Sequence, residues 1–342
     1  MKICVFGAGA IGGLFGVRLA RAGAQVSVVA RGTNAAALRA RGWRLQSGEA
    51  VISALVHVAQ KASELGPQDL VIVAVKAPAL PSVAAAIAPL LGPQTMVLTA
   101  MNGVPWWFFE RFGGALQGTR LACIDPDGRI ASAIPADHII GCVVHLAASA
   151  PEPGLTRHQI GNRLIIGDVG GKLRHSDHDH DLSRPVSTTG ARIQVVAALL
   201  AEAGFEVDVS TCIQRDIWYK LWGNMTMNPV SALTGATLDR ILDDPAVIAF
   251  CLAVMREAAA IGSKIGCPIA ESGEDRNAVT RKLGAVKTSM LQDLEAGRAV
   301  EIDALLTAVQ EIGVLVNQPT PSLDVLLGLA RLQARVRGLY PA

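Results

Sequence analysis

The apolar positions of this chain fall into two regimes. Over 1–211, short apolar runs of strand length alternate with stretches in which apolar residues recur at helical spacing; beyond residue 211 only the helical spacing remains. Runs at 3–6, 25–30, 69–75, 95–100, 141–147, 164–167 and 205–209 predict strands, and 43–45 with 50–57 predicts a small hairpin. The run at 69–75 is continuously apolar, as a strand buried on both faces should be. Between them, helical patterns cover 35–41, 81–91 and 193–203, and Ile11, Leu14, Phe15 and Leu19 mark a helix that Gly23 stops. The later part reads as helices over roughly 212–227, 231–239, 245–263, 276–296, 301–316 and 322–336. Alternating strands and helices build a parallel sheet, and a switch to helices alone marks a new domain. The expected class is α/β, with a Rossmann-type parallel-sheet domain at 1–211 followed by an all-α domain at 212–342.

The junction of the first strand and first helix carries chemistry. Gly7, Gly9 and Gly12 stand in the order G-x-G-x-x-G, with Ala8, Ala10 and Ile11 between them. Strand, glycine turn, helix and second strand is the context in which this motif reads as a dinucleotide site rather than a mere turn. Gly7 permits the tight turn, Gly9 lets a pyrophosphate approach the backbone, and Gly12 lets the helix pack close. Free N–H groups at the helix start then face the anion. An NAD site usually places an acid at the end of the second strand. Here the residues are Ala30, Arg31 and Gly32. A planar, permanently charged guanidinium suits a 2′-phosphate, so NADPH/NADP+ is the expected cofactor; otherwise Arg31 is a solvated surface residue.

Composition narrows the class. The 342 residues are 51% hydrophobic and 18% charged with a formal charge of +2, so large cores are available and disorder is not expected. With no Lys/Arg block, nucleic acid is not an expected partner. Six scattered cysteines without a C-x-x-C pair fit reduced thiols and a cytoplasmic setting. The N-terminal run is a strand rather than a signal peptide. The most apolar helical stretch, 246–255, ends at Arg256-Glu257 and is too short for a bilayer, so no membrane is expected. His175, His178 and His180 lie among Asp177, Asp179 and Asp181. The spacing matches no zinc pattern, so a solvated loop is the better reading and no metal is expected.

Two sets of polar residues remain. Lys76 and Asn102 follow the strands at 69–75 and 95–100, at the carboxyl ends where open parallel sheets bind ligands. Ordinary loop chemistry would account for either one alone. Lys220, Asn224 and Asn228 are four residues apart, on one helical stripe. Their neighbours are Trp218, Leu221, Trp222, Met225 and Met227. Polar groups within so apolar a helix need partners, and a lysine in a partly dry site can serve as an acid. A polar outer face is the alternative.

With these residues in view, the chain resembles the ketopantoate reductase (2-dehydropantoate 2-reductase) family over nearly its whole length. The resemblance rests on GAGAIG at 7–12, Lys76, Met101-Asn102-Gly103, K-x-x-x-N-x-x-x-N-P at 220–229, Ser289-Met-Leu-Gln-Asp, and Glu301-Ile-Asp. It implies that Lys220 donates a proton to the substrate carbonyl oxygen as NADPH delivers hydride, with Glu301 as its catalytic companion. It implies substrate binding by Lys220, Asn224, Asn228, Ser289 and Asn102. It implies cofactor binding by Gly7, Ala8, Gly9, Ala10, Ile11, Gly12, Arg31, Lys76, Asn102, Ala147 and Glu301. The expected reaction is reduction of ketopantoate to (R)-pantoate for pantothenate biosynthesis, the substrate being a small 2-oxo acid. The apolar helices allow a homodimer. Two departures stand out: Leu238 occupies a position where relatives often carry another asparagine, and 106–140, with Asp125-Pro-Asp-Gly128, is longer than in compact relatives. The rival readings are a related reductase of another carbonyl compound and a non-catalytic NADP(H) sensor. A sensor has no need of Lys220, Asn224, Asn228 and Glu301 together.

Overall fold

The computed structural model describes residues 1–170 and 188–341; His175, His178, His180 and their aspartates lie outside the described residues. The chain forms two compact units. The first comprises Met1–Met101, Glu110–Phe112 and Gly128–Ile213; the second comprises Asn102–Phe109, Gly113–Asp127 and Gln214–Ala342.

The first unit is built on one sheet, whose strands among the described residues are β1 (Lys2–Phe6), β2 (Gln25–Val29), β3 (Trp43–Ser47), β4 (Ala50–Ala54), β5 (His57–Ala59), β6 (Leu70–Val73), β7 (Met96–Ala100), β8 (Ile139–Glu152), β9 (Leu155–Asp168) and β10 (Glu206–Val209). The order is β4-β3-β9-β8-β7-β6-β1-β2-β5, with β10 also paired to β9. Strands β5, β2, β1, β6, β7 and β8 run parallel. In their own sequence they are ordered 3-2-1-4-5-6, the dinucleotide-binding arrangement, and its switch point lies between β1 and β6. Ile3, Val5, Leu70, Ile72 and Leu98 are fully buried, which explains the unbroken apolar runs of these strands. Helices α1 (Ala10–Arg21), α2 (Gly32–Arg41), α3 (Leu80–Ala84), α4 (Arg129–Ala133) and α5 (Thr188–Glu202) complete this unit. Two glycines inside α1 have a packing role that their spacing does not announce. A Cβ on Gly16 would stand 2.3 Å from the buried Trp43 ring, and one on Gly13 would stand 1.8 Å from Thr156 Oγ1.

The separate strands expected at 141–147 and 164–167 are the inner parts of a long antiparallel hairpin, β8 and β9. Its outer part is half exposed, with small residues in β8 and polar ones in β9, and is held by the ladder rather than by burial, so hydropathy did not trace it. The expected hairpin over 43–45 and 50–57 is β3 and β4, while His57–Ala59 leaves it to pair with β2. The helix expected at 81–91 ends at Ala84 and is followed by a 3-10 turn, Ala88–Leu90, because Pro89 cannot donate to an α-helical ladder.

The second unit holds α6 (Ile213–Thr234), α7 (Leu238–Asp243), α8 (Pro245–Lys264), α9 (Gly273–Arg281), α10 (Ser289–Glu295), α11 (Ala308–Leu315) and α12 (Pro321–Val336). The break expected between helices at 212–227 and 231–239 is absent: α6 runs through Pro229, with Met225 and Val230 buried on either side. The single helix expected at 276–296 is two helices. Gly284, at φ +72°, turns the chain, and Thr288 starts α10 by accepting from the Leu291 N–H. Helix α8, expected over 245–263, is 20 residues long, and by length and composition alone it is long and apolar enough to cross a membrane, which corrects the reading of the 246–255 stretch as too short. It packs on α7, α9, α11 and α12, and Glu257 accepts from the Ser322 and Leu323 N–H groups at the start of α12.

The long segment after Asn102 helps to build this unit. Trp106, Trp107, Phe108 and Phe109 are buried, and Phe108 lies 6.2 Å from Trp218 of α6, ring centre to ring centre. Glu311 of α11 accepts from the Ala122 and Cys123 N–H groups at 2.6 and 3.0 Å, which ties that turn of the segment to α11. No disulfide joins the six cysteines, all of which lie among the described residues, and burial pushes the pKa of the Cys4 thiol up to about 12.

Candidate functional site

In the first unit the glycine motif forms an open cradle. Gly7 has φ +117°, and a Cβ there would meet the Ala74 carbonyl oxygen at 2.6 Å, so the turn closes tightly on the end of β6. A Cβ on Gly12 would stand 1.9 Å from the Gly7 carbonyl oxygen. Gly9 is exposed, with nothing within 4 Å of the same position. Gly9 also begins α1, whose first turn carries no acid. Two of the glycines therefore serve packing, and the third leaves free space before a helix N-terminus. That combination fits a dinucleotide pyrophosphate. Ala8, Ala10 and Ile11 line the turn and are partly buried. Lys76 follows the Ala74-Val75 backbone on which Gly7 rests and is partly buried. Arg31 is exposed at the start of α2, whose first turn also has no acid. Ala147 lies within β8, opposite Ile160 beside a bulge, rather than at a strand end.

In the second unit the Lys220 ammonium donates to Asn102 Oδ1 at 2.8 Å. Helix α6 explains how. Trp218, Leu221, Trp222 and Met225 are buried, and the Trp222 indole donates to the Met255 carbonyl at 2.7 Å. Gly262 of α8 makes room for the Trp218 indole. With that face fixed, the stripe of partly buried Lys220, partly buried Asn224 and buried Asn228 is set by the helix itself. It is not a solvated outer face.

The Glu301 segment comes to the same place through the backbone. A π turn, Asp303–Thr307, precedes α11. The Ala304 carbonyl accepts from the Val104 N–H at 2.9 Å, and a Cβ on Gly103 would meet that oxygen at 2.4 Å. Gly103, at φ +78°, thus presses the Asn102 turn onto the π turn three residues past Glu301. Glu301 is partly buried, and its carbonyl accepts from the Leu305 N–H at 3.3 Å. Lys220, Asn102 and the Glu301 segment are therefore gathered. Ser289 is exposed on the first residue of α10, where its neighbour Thr288 does the capping. Among the described residues no direct hydrogen bond joins Ser289 to the stripe.

Two features escaped the sequence reading. Arg276 of α9 lies across Gly223, where a Cβ would stand 2.9 Å from its Nη2, and over the Tyr219 ring at 5.5 Å. Gly223 inside a helix was the available signal. Tyr219 donates to Glu271, and burial, followed by that bond, pushes its hydroxyl above the usual range. The second feature is Asp303, which accepts from Thr307 Oγ1 at 2.9 Å and from the Tyr340 hydroxyl at 2.5 Å. No sequence motif marks that pairing. Among the described residues no group of three or more His, Cys, Asp or Glu is arranged to hold a metal.

Similarity to known proteins agrees with this geometry. Residues 3–171 match the family described as ketopantoate reductase PanE/ApbA, and 212–334 match its C-terminal domain. A 2-dehydropantoate 2-reductase of Mesorhizobium japonicum is 44% identical, the alignment covering 99% of this chain and 100% of that protein. A solved structure of a candidate ketopantoate reductase from Ralstonia solanacearum superposes with a TM-score of 0.91 at 57% identity, covering 99% of each chain. A D-mandelate dehydrogenase solved with NADH and anilino(oxo)acetate shares the fold, with a TM-score of 0.82 at 20% identity over 99% of this chain and 100% of that one. The chain belongs to the ketopantoate reductase family.

Proposed function

We propose that this chain reduces 2-dehydropantoate to (R)-pantoate with NADPH, a step of pantothenate biosynthesis. The observation that carries the reading is the Lys220 ammonium held at 2.8 Å on Asn102 Oδ1, on a helix whose opposite face is locked. When bound, the dinucleotide supplies a hydride. Gly7 to Gly12 would hold its pyrophosphate on backbone N–H groups, and Arg31 would face the 2′-phosphate, which would select NADPH over NADH. Lys76 and Ala147 would complete the cofactor contacts.

A ketone gaining hydride becomes an alkoxide, so its oxygen needs a cation and a proton at that moment. Lys220 is the group on α6 that supplies both. Asn102 holds the ammonium by its oxygen and Glu301 orients it. Asn224, Asn228 and Ser289 bind the substrate's carboxylate and hydroxyl, groups that amide and hydroxyl donors suit.

A related reductase of another small 2-oxo acid is the second reading, and Leu238 favours it. Where relatives often carry an asparagine, this residue is buried and its N–H donates to the Val286 carbonyl at 3.0 Å, so its side chain has no polar contact to offer. The test is NADPH oxidation, followed by absorbance, with a panel of 2-oxo acids. 2-Dehydropantoate is expected to give the highest kcat/KM. A higher kcat/KM for another 2-oxo acid supports the second reading, and no turnover of any removes both.

A further inference from the structure

We propose that Tyr340 is a positioning residue for Lys220, acting through Asp303, the π turn and Asn102. The inference rests on the reading of Lys220 as proton donor.

The contacts form an unbroken path. After α12, Gly338 (φ +67°) turns the chain, with its N–H donating to Arg335 O and the Leu339 N–H donating to Ala334 O. This turn sets the Tyr340 ring beneath the Arg335 guanidinium at 5.7 Å. The Tyr340 hydroxyl then donates to Asp303 Oδ1 at 2.5 Å. The same oxygen accepts from Thr307 Oγ1 at 2.9 Å, and Arg331 donates to Thr307 Oγ1 at 3.0 Å. Asp303 and Thr307 are the first and last residues of the π turn. One clamp therefore spans the turn, and α12 and the residues after it hold both of its ends.

The clamp matters because a π turn is one residue wider than an α turn and is rarely preferred on its own. Relaxing it to α would rotate the Ala304 carbonyl about its helix axis. That carbonyl is the acceptor of the Val104 N–H and the atom against which Gly103 is pressed. Asn102, next to Gly103, supplies the oxygen that holds the Lys220 ammonium. The clamp thus sets the height of the Asn102 turn, and with it the place of the proton donor. A lysine displaced by a fraction of an ångström still binds substrate, but it meets the developing alkoxide badly.

The experiment is a double-mutant cycle on the full chain, with Tyr340→Phe, Asn102→Ala and the double variant, and with Asp303→Asn as a second route to breaking the clamp. It reads kcat and KM for 2-dehydropantoate, the NADPH Kd and the thermal midpoint. Tyr340→Phe and Asp303→Asn are each expected to lower kcat by about tenfold, with KM and the NADPH Kd within about twofold. In the Asn102→Ala background, Tyr340→Phe is expected to lower kcat by less than about twofold, since the path is already cut. The proposal is overturned if Tyr340→Phe keeps the wild-type kcat. It is equally overturned if Tyr340→Phe lowers kcat by the same factor in both backgrounds, which is the signature of a purely structural role. Lys220→Ala assayed alongside separates the failures. If it is inactive while the clamp variants are unaffected, only this inference falls; if it is fully active, the proton-donor reading falls as well.

Discussion

Lys220 and Asn102 are 118 residues apart in sequence and 2.8 Å apart in space, ammonium to amide oxygen. The amide oxygen is the side chain's acceptor, and the lysine fills one of its two lone-pair positions. Asn102→Ala removes that acceptor and is expected to lower kcat by about 10- to 100-fold, as loss of a hydrogen bond to a charged group at about 1.5–3 kcal/mol implies. Steady-state kinetics with NADPH and 2-dehydropantoate check this. A kcat within about twofold of wild type would remove Asn102 from the proton donor's support.

The glycine turn makes a paired prediction. Gly9 has φ −91°, and nothing lies within 4 Å of where a Cβ would be, so Gly9→Ala should preserve the thermal midpoint or raise it slightly. The added methyl enters the space assigned to the pyrophosphate, so NADPH binding should weaken by about 1–3 kcal/mol. Gly12→Ala meets the Gly7 carbonyl oxygen at 1.9 Å and should lower the thermal midpoint itself. Calorimetry and NADPH titration of both variants distinguish cradle from packing. Equal NADPH affinity in Gly9→Ala and wild type would contradict the cradle.

On the proposed reading, cofactor choice turns on Arg31, exposed where an NAD site would place an acid. Arg31→Ala should weaken NADPH by about 1.5–3 kcal/mol and NADH much less. Kd values for both nucleotides, wild type against variant, are the measurement. A wild type that binds NADPH and NADH equally would contradict the assignment.

The chain has two tyrosines, and both hydroxyls are held above the usual range. Burial is the larger cause in each case, followed by a hydrogen bond to Glu271 for Tyr219 and to Asp303 for Tyr340. A raised folded-state pKa adds stability at pH below the unfolded value of about 10, and that stability is lost as pH rises through the folded value. Phenolate absorbance of the folded protein should therefore rise at higher pH than that of the denatured protein, with the thermal midpoint falling over the same window. Coincident titrations would show that neither hydroxyl is held.

Much of this was legible in the sequence because its signals are local. The G-x-G-x-x-G turn, the buried parallel strands and the Lys220-Asn224-Asn228 stripe each follow from spacing within one or two elements. What was not legible depends on distant partners. The outer part of β8 and β9 is half exposed, small-residue in one strand and polar in the other, and is held by its ladder, so hydropathy stopped short of it. Pro89 and Pro229 look alike in sequence, yet one accompanies a broken helix and the other sits inside α6, where buried neighbours hold the helix through it. Gly13 and Gly16 were needed for Trp43 and Thr156, which lie on other elements. The grip of Tyr340 on Asp303 joins two residues 37 apart with no motif to mark either.

The central claim is that Lys220 gives the proton, and Lys220→Ala tests it most directly, with Lys220→Met keeping the length and apolar stem. kcat, NADPH affinity and the thermal midpoint are measured together. The account predicts kcat lower by about 10²–10⁴-fold in both variants, the usual range for a general acid, with NADPH affinity and folding preserved. A lysine that merely packs its stem against its helix neighbours would give a lower midpoint with turnover per folded molecule intact. A folded Lys220→Ala protein that binds NADPH and reduces substrate within about tenfold of wild type would contradict the account.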